Sequence, residues 1–279
     1  MIPAPFDYTR AASVEEAVAL LAEHGDAAKL LAGGHSLLPL MKLRLAVPSV
    51  LVDVGRLADL RYVRQEGDHV AIGALARHRD LEVSELLRAE VPVLAHVAGQ
   101  VGDPQVRHRG TIGGSLAHGD AASDLPAAVL ALDGVLVATG PAGRREIPAA
   151  EFFKGFLETA LRPDEVLTEI RVPRSPGGWS FQKFNRRAQD WAIVGVVAVT
   201  GDTTRVALVN MGSTPLRASA VEAALAAGAS PADAAAHAAE GTEPSADLNA
   251  TVEFRRHLAT VLVGRALEEA TTAAAQPGR

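Results

Sequence analysis

Two Gly-Gly pairs that lie far apart in the sequence are the features best suited to binding chemistry. Glycine permits positive φ and close approach of the backbone, so successive N–H groups and a neighbouring hydroxyl can converge on an anion. We therefore predict that both pairs lie in loops that cradle a diphosphate. The segments comprise Ala32, Gly33, Gly34, His35 and Ser36 in the first case, and Thr111, Ile112, Gly113, Gly114 and Ser115 in the second.

Each Gly-Gly pair by itself also fits an ordinary turn, which is the commoner use of such a pair. Neither segment contains the lysine of a P-loop or the G-x-G-x-x-G spacing of a dinucleotide fold. Both a nucleoside triphosphate and an NAD molecule bound in a Rossmann fold are therefore disfavoured.

Composition limits the remaining classes of protein. A length of 279 residues suits two domains, or one domain with a substantial appendage, and a content of 48% hydrophobic and 22% charged residues predicts a folded globular protein. The chain has no cysteine, so it cannot form disulfides, thiolate zinc sites or its own iron–sulfur cluster. The net charge of -6 gives no reason to expect nucleic acid or an acidic membrane as a partner, and no long apolar run or leader is visible. We expect a cytoplasmic protein.

Helix and strand signals alternate through the first part of the chain. A capping box of Ser13 and Glu16 predicts the start of a helix that ends near Gly25. Apolar runs predict strands, and together with the helix they indicate a layered βα region. The predicted strands are 29–32, 49–54, 69–75 and 165–172.

Further helices and a domain boundary follow. Residues 91–101 and 120–132 read as helices, and the second has Ser123 or Asp124 as a possible cap. The segment 173–178 (PRSPGG) is the best linker.

Beyond the linker, the pattern is strands first and helices after, which indicates an α+β domain. Residues 191–200 and 205–211 are apolar runs joined by a hairpin signature. Residues 215–240 read as helical with caps at Ser219 and Ser230, and residues 251–274 as one long helix.

Two longer runs around the glycine pairs carry a family resemblance. The runs 32–45 (AGGHSLLPLMKLRL) and 102–126 (GDPQVRHRGTIGGSLAHGDAASDLP) resemble the paired signatures of molybdenum hydroxylase flavoprotein subunits. Within that family, the runs resemble those of the medium subunits of aerobic carbon monoxide dehydrogenases and, more distantly, those of the FAD domain of xanthine dehydrogenase. Residues 183–194 and 211–218 and the last helix extend the resemblance to nearly the whole chain.

The resemblance implies an α+β fold with two domains. Residues 1–175 would form a two-lobed FAD-binding domain of the vanillyl-alcohol-oxidase (PCMH) type, with lobes at about 1–57 and 58–175. Residues 176–279 would form a small domain with a three-stranded antiparallel sheet and helices. The ten residues of the two glycine segments match the family's FAD pyrophosphate loops.

Five further residues match family positions near the cofactor, and each has a plainer alternative. Ser123 and Asp124 would reach the FAD ribose or adenine-side groups, or only cap a helix. Lys183 would lie by the flavin ring, where a cation stabilises the reduced form, or be a solvated strand residue. Val166 and Leu167 would pack the isoalloxazine, or be ordinary buried strand residues.

Two other side chains leave open questions. Trp191 would shield the flavin or, as we slightly favour, anchor the core of the small domain. The string GGHS also resembles the loop of berberine-bridge-type oxidases, in which the histidine carries a covalent flavin. Those oxidases are much longer, so we expect noncovalent FAD at His35.

By resemblance, the chain would pass electrons rather than bind the substrate of the complex. The electrons would come from a small partner subunit with [2Fe-2S] clusters and would leave for an external acceptor. The complex would also contain a large molybdopterin subunit and would be a dimer of heterotrimers. We expect no catalytic residue and no metal site in this chain. The alternatives are a stand-alone flavin oxidase or reductase, and a nucleotide-binding adaptor.

Overall fold

The first part of the chain folds into a small parallel sheet covered by a helix. The computed structural model describes residues 2–275. The sheet has the strand order β1-β3-β2, and both strand pairs are parallel. The elements are β1 (Asp7–Arg10), α1 (Val14–His24), β2 (Ala28–Leu31), α2 (Leu37–Lys42) and β3 (Val50–Asp53).

The ends of α1 follow from the sequence signals. Ser13 Oγ accepts the N–H of Glu16 at 3.1 Å, and Gly25 ends the helix with a φ of +52°. The second bond of the predicted capping box differs by one residue: the Glu16 carboxylate accepts the N–H of Ala12 instead of the N–H of Ser13.

The second part is a five-stranded antiparallel sheet in the order β4-β5-β10-β6-β7. Six helices lie in the chain between β5 and β6, and they carry the second glycine pair. The elements are β4 (Val63–Glu66), β5 (His69–Gly73), α3 (His78–Val83), α4 (Glu85–Glu90), α5 (Pro92–Gly99), α6 (Pro104–Arg109), α7 (Ile112–His118), α8 (Asp124–Ala131), β6 (Val135–Gly140), β7 (Gly143–Pro148), α9 (Ala149–Phe152), β8 (Phe153–Gly155), β9 (Glu158–Thr159) and β10 (Val166–Pro173).

The last part is an antiparallel sheet in the order β11-β12-β13-β14 with three helices. The predicted hairpin and the long final helix are confirmed, but the expectation of three strands is wrong. Leu216 and Arg217 pair with β13 and form a short fourth strand. The elements are β11 (Trp179–Phe184), β12 (Val194–Val199), β13 (Arg205–Val209), β14 (Leu216–Arg217), α10 (Ser219–Ala226), α11 (Pro231–Ala235) and α12 (Val252–Ala275).

Strand β12 explains how the last sheet is attached to the rest. All six of its residues are buried, and their continuous apolar run is typical of a strand that is covered on both faces. Val197 and Val199 belong to the core that also contains residues of α8, whereas Val196 and Ala198 belong to the core that contains residues of α12. Helix α8 therefore joins the five-stranded sheet to the last one through a shared core.

Several local predictions were wrong about where a helix begins or about whether a side chain is buried. Helix α8 begins at Asp124 rather than near residue 120, and Ser123 occupies its N-cap position without a side-chain capping bond. Helix α10 begins at Ser219 with Ala218 as its cap residue, while the cap of α11 by Ser230 is confirmed. Trp191 is 58% exposed, so it does not anchor the core of the last domain.

Candidate functional site

The two glycine segments meet in space. A Cβ atom on Gly33 would lie 2.3 Å from the carbonyl oxygen of Arg109 and 2.9 Å from the α-carbon of Gly110, the residue before Thr111. Only a residue without a side chain permits this approach. The loop after β2 and the segment that leads into α7 are thus in direct backbone contact.

The first segment offers unpaired donors. Within residues 2–275, no acceptor lies in hydrogen-bonding range of the N–H groups of Gly33, Gly34, His35 and Ser36. Gly34 has a φ of +76°, a left-handed conformation that tilts successive amides towards one side. His35 is exposed, and the other three residues are partly buried. Four consecutive free amides at a surface are the donor set that the phosphates of a dinucleotide require, so this segment fits the diphosphate of FAD.

The second segment is built differently from the prediction. It is the first turn of α7 rather than a loop, with Thr111 as N-cap. Four of its five amides already have partners within the protein; for example, Gly113 donates to Ala74 O at 2.9 Å and Gly114 donates to Thr111 Oγ1 at 3.1 Å. The expectation that amides of both segments bind the ligand therefore narrows here to the N–H of Thr111. This segment can also offer its hydroxyls and the open space beside Gly114.

Backbone pairing holds the second segment firmly. His78 donates its N–H to Gly110 O at 3.0 Å, and Ile112 donates to Ala76 O at 3.0 Å. A Cβ on Gly113 would lie 2.6 Å from the Cβ of Ala74. Gly113 is thus required by packing against the chain, whereas a Cβ on Gly114 would meet only Thr111 Oγ1, at 2.8 Å.

Asp124 and Lys183 form a buried ion pair that the sequence did not predict. Lys183 Nζ lies 2.6 Å from Asp124 Oδ2 and donates to Gln100 O at 3.1 Å. The side chain of Lys183 is 9% exposed and that of Asp124 is 6% exposed, so the interpretation of Lys183 as a solvated residue is wrong. Burial raises the pKa of Asp124 to about 6, and the ammonium group of Lys183 opposes that rise.

This pair leaves one polar atom without a partner. Asp124 Oδ1 is enclosed and has no hydrogen-bond partner among the described residues. Lys183, the partner of this carboxylate, also lines a cavity of about 350 Å³ between the α5–α6 turn and the loop after β11. The residues around this cavity are Gly99, Gln100, Gly102, Arg107, Lys183, Asn185, Ala188 and Gln189.

The structure places Val166 and Leu167 behind the second segment. Both side chains are buried, Val166 in the core of the first sheet and Leu167 in that of the five-stranded sheet. Their neighbour Thr168 accepts the N–H of Ala74 through its carbonyl at 3.0 Å. They are therefore close to Gly113 through Ala74, and their packing against a flavin ring stays a prediction.

Basic residues surround the contact between the two segments. Arg107 forms an ion pair with Glu82 at 3.0 Å, and Arg77 donates to His108 O at 2.8 Å. His35 is exposed, and its Nδ1 donates to Gly33 O at 3.0 Å. The sequence reasoning missed Gly110 and the buried His78 that lies against it. The signal for Gly110 was present, because this glycine stands within the second quoted run.

No helix among residues 2–275 is long and apolar enough to cross a membrane.

Comparisons with known proteins agree with this geometry. The family described as the FAD binding domain in molybdopterin dehydrogenase matches residues 4–175, and the CO dehydrogenase flavoprotein C-terminal domain matches residues 179–270. The carbon monoxide dehydrogenase medium chain of Hydrogenophaga pseudoflava is 44% identical over 97% of this chain and 98% of the relative. Subunit alpha of the 6-hydroxypseudooxynicotine dehydrogenase complex of Paenarthrobacter nicotinovorans is 38% identical over 97% of this chain and 96% of the relative.

A solved structure gives the same relationship in three dimensions. Carbon monoxide dehydrogenase from Hydrogenophaga pseudoflava, in a form that lacks the Mo-pyranopterin moiety of the molybdenum cofactor, contains a chain that superposes with a TM-score of 0.95 at 45% identity. The match covers 98% of this chain and 100% of that one. The chain therefore belongs to the family of FAD-binding oxidoreductase subunits that includes the medium chains of carbon monoxide dehydrogenases.

Proposed function

We propose that this chain is the electron-transferring FAD subunit of a molybdenum hydroxylase. It takes electrons from iron–sulfur clusters of a small partner subunit and passes them to an external acceptor, while a large molybdopterin subunit oxidises the substrate. The observation that carries the proposal is the row of unpaired amides from Gly33 to Ser36, lying against the start of the second glycine segment.

Each part of the site has a role that its chemistry allows. Gly33, Gly34, His35 and Ser36 donate backbone N–H groups to the FAD diphosphate, with Ala32 leading into the turn. Thr111 and Ser115 contribute hydroxyls, and Gly114 leaves room for the phosphates. FAD, when bound, supplies the redox chemistry, and the protein holds and orients it.

The buried ion pair sets the electrostatics at the other end of the site. Asp124 and the neighbouring Ser123 would lie towards the ribose or adenine side of the cofactor. Because Lys183 is paired at 2.6 Å with Asp124, the two groups together carry no net charge at neutral pH. The lysine therefore acts as a donor held in place rather than as a free cation beside the flavin.

The division of labour within the chain is part of the proposal. Residues 1–175, with lobes at about 1–57 and 58–175, form the cofactor domain of the vanillyl-alcohol-oxidase (PCMH) type, and residues 176–279 form the second domain. Residues 276–279 lie outside the described part. The separate sheets of 7–53, 63–173 and 179–217 support these boundaries. The relatives named as a medium chain and as a subunit support a multi-subunit complex, and we propose that this complex is a dimer of heterotrimers.

Two measurements test the proposed function. A tagged chain, purified from its host, is expected to bring molybdenum and iron with it in stoichiometric amounts. The chain purified alone is expected to bind FAD that dithionite bleaches, and that the substrate of the complex bleaches only after the partner subunits are added. Direct bleaching of the isolated chain by a small organic substrate would instead identify a stand-alone flavin enzyme.

The site itself is tested by a matched pair of variants. Gly34→Ala places a Cβ on a residue with φ +76° at the cradle, and Gly67→Ala does so at an exposed turn with φ +60°. Both variants impose a similar backbone strain, and the Cβ at Gly34 would in addition lie 2.9 Å from Cδ1 of Leu38, the end of a flexible side chain. We expect FAD retention to fall only in Gly34→Ala, and equal retention in both variants would place the diphosphate elsewhere.

A further inference from the structure

Three residues are stacked in layers beneath the site. A Cβ on Gly110 would lie 2.6 Å from Nε2 and 2.7 Å from Cδ2 of His78, so the edge of the imidazole touches the α-carbon of Gly110. On the other side, Gly33 packs against Arg109 and Gly110. The order is His78, then Gly110, then Gly33. The imidazole is therefore in a position to set how far the Gly110 backbone projects towards the first glycine segment.

The side chain of His78 is held there by packing and not by hydrogen bonds. It is 5% exposed, and its Nδ1 is enclosed without a partner among the described residues. Burial, with smaller contributions from the nearby His35 and Arg107, lowers the pKa of His78 to about 4, so the ring is neutral at pH 7. A neutral ring can pack closely beneath a site built for an anion without adding a charge to it.

We propose that His78 is a positioning residue for the diphosphate of FAD: its ring supports Gly110 from below and keeps the Arg109–Thr111 backbone against Gly33. This inference rests on the proposed function, because it takes the contact between the two glycine segments to be the diphosphate site. The backbone of His78 reinforces the support, since its N–H donates to Gly110 O at 3.0 Å and the preceding residue, Arg77, bridges to Thr111. His78 itself need not touch the cofactor.

A double-mutant cycle tests the stacking directly. FAD affinity of the apoprotein is measured by flavin fluorescence for His78→Ala, Gly110→Ala and the double variant, with folding checked by circular dichroism. Each single variant is expected to weaken FAD binding at least tenfold. In the double variant, the new Cβ occupies space that the ring has left, so Gly110→Ala should add less than a further threefold loss. Independent, multiplying losses would overturn the proposal.

Variants of intermediate size keep the test informative. His78→Phe retains a ring of similar size and is expected to bind FAD within threefold of the wild-type chain. Should His78→Ala lose its fold, His78→Val keeps an apolar side chain too short to reach Gly110, and the tenfold loss is expected there. A loss in His78→Phe as large as in His78→Ala or His78→Val would show that the nitrogens matter and the ring's shape does not, which would overturn the proposal.

A spectroscopic readout separates positioning from a general loss of structure. At saturating FAD, the two phosphorus-31 resonances of the diphosphate are expected to move in His78→Ala, while the visible spectrum of the flavin stays unchanged. Wild-type phosphorus spectra in a variant that binds FAD with wild-type affinity would refute the positioning role. If Gly34→Ala also bound FAD normally, the proposed site would fail; if only the His78 variants did so, the site would stand and this inference would fail.

Discussion

The buried pair of Asp124 and Lys183 gives the sharpest test of the electrostatics of the site. Lys183→Met keeps much of the apolar stem of the lysine and removes its charge. The carboxylate of Asp124, 6% exposed and with Oδ1 enclosed, then loses the ammonium group at 2.6 Å. Removing one partner of a buried ion pair costs about 3–5 kcal/mol, because the other charge stays uncompensated. We expect the free energy of unfolding of the apoprotein to fall by about that amount at pH 8.

The pH dependence of this loss has a definite sign. The pKa of Asp124 is already raised in the folded chain, and without Lys183 it rises further. A carboxyl whose pKa is higher in the folded than in the unfolded state binds its proton preferentially in the folded state, so the variant gains stability as pH falls. The destabilisation by Lys183→Met should therefore be largest at pH 8 and smaller at pH 6.

Urea denaturation followed by circular dichroism measures both effects. Arg187→Met is the matched control, because it breaks an exposed ion pair with Asp190 at 2.9 Å in the same loop region, and such surface pairs contribute about 0–1 kcal/mol. The double variant Asp124→Asn/Lys183→Met should be less destabilised than Lys183→Met, since no charge is left behind. A loss below about 1 kcal/mol at pH 8, or a double variant as unstable as the single one, would refute the reasoning.

Four further outcomes follow from the geometry. Gly114→Val should abolish FAD retention with little change in far-UV circular dichroism, since its Cβ meets only Thr111 Oγ1; unchanged flavin content would count against the site. Gly33→Ala should also lower the apoprotein's melting temperature, because its Cβ would lie 2.3 Å from a carbonyl oxygen; a wild-type melting curve would contradict the contact. The pKa of His78 is lowered from 6.5 to about 4 in the folded chain, so the free energy of unfolding should fall by up to about 3 kcal/mol as pH falls from 6.5 to 4. Urea titrations at pH 7 and 4.5 should show a smaller fall in His78→Phe than in the wild-type chain, and an equal fall would oppose this assignment. Acid precipitation should leave yellow flavin in the supernatant, and a yellow pellet would indicate a covalent bond to His35.

Local signals allowed much of the fold to be predicted. The strand 49–54, the hairpin after β12 and the long helix α12 follow from apolar periodicity, which acts over neighbouring residues. The fourth strand of the last sheet did not, because Leu216 and Arg217 are extended only through pairing with β13. Trp191 was misplaced because a large aromatic residue next to an apolar run is usually buried, and tertiary packing decides otherwise here.

The site was predicted less completely than the fold for a related reason. Glycine pairs mark places where a side chain cannot fit, but the sequence does not say whether a ligand or another stretch of backbone fills the space. Gly113 packs against Ala74, and four of the five amides of its segment are bonded within the protein. The pairing of Asp124 with Lys183 joins residues far apart in the chain, and no spacing rule within one element reveals such a contact.

The close approach of Gly33 to Gly110 has a practical consequence for anyone who expresses this chain. Because the proposed FAD site lies where the loop after β2 touches the segment that leads into α7, we expect flavin colour to develop only after both parts of the chain have folded and met. The flavin absorbance per milligram of protein should then report the fraction of the protein that is correctly folded. For the same reason, a fragment that ends before residue 100 should emerge colourless even though it contains the first glycine segment intact.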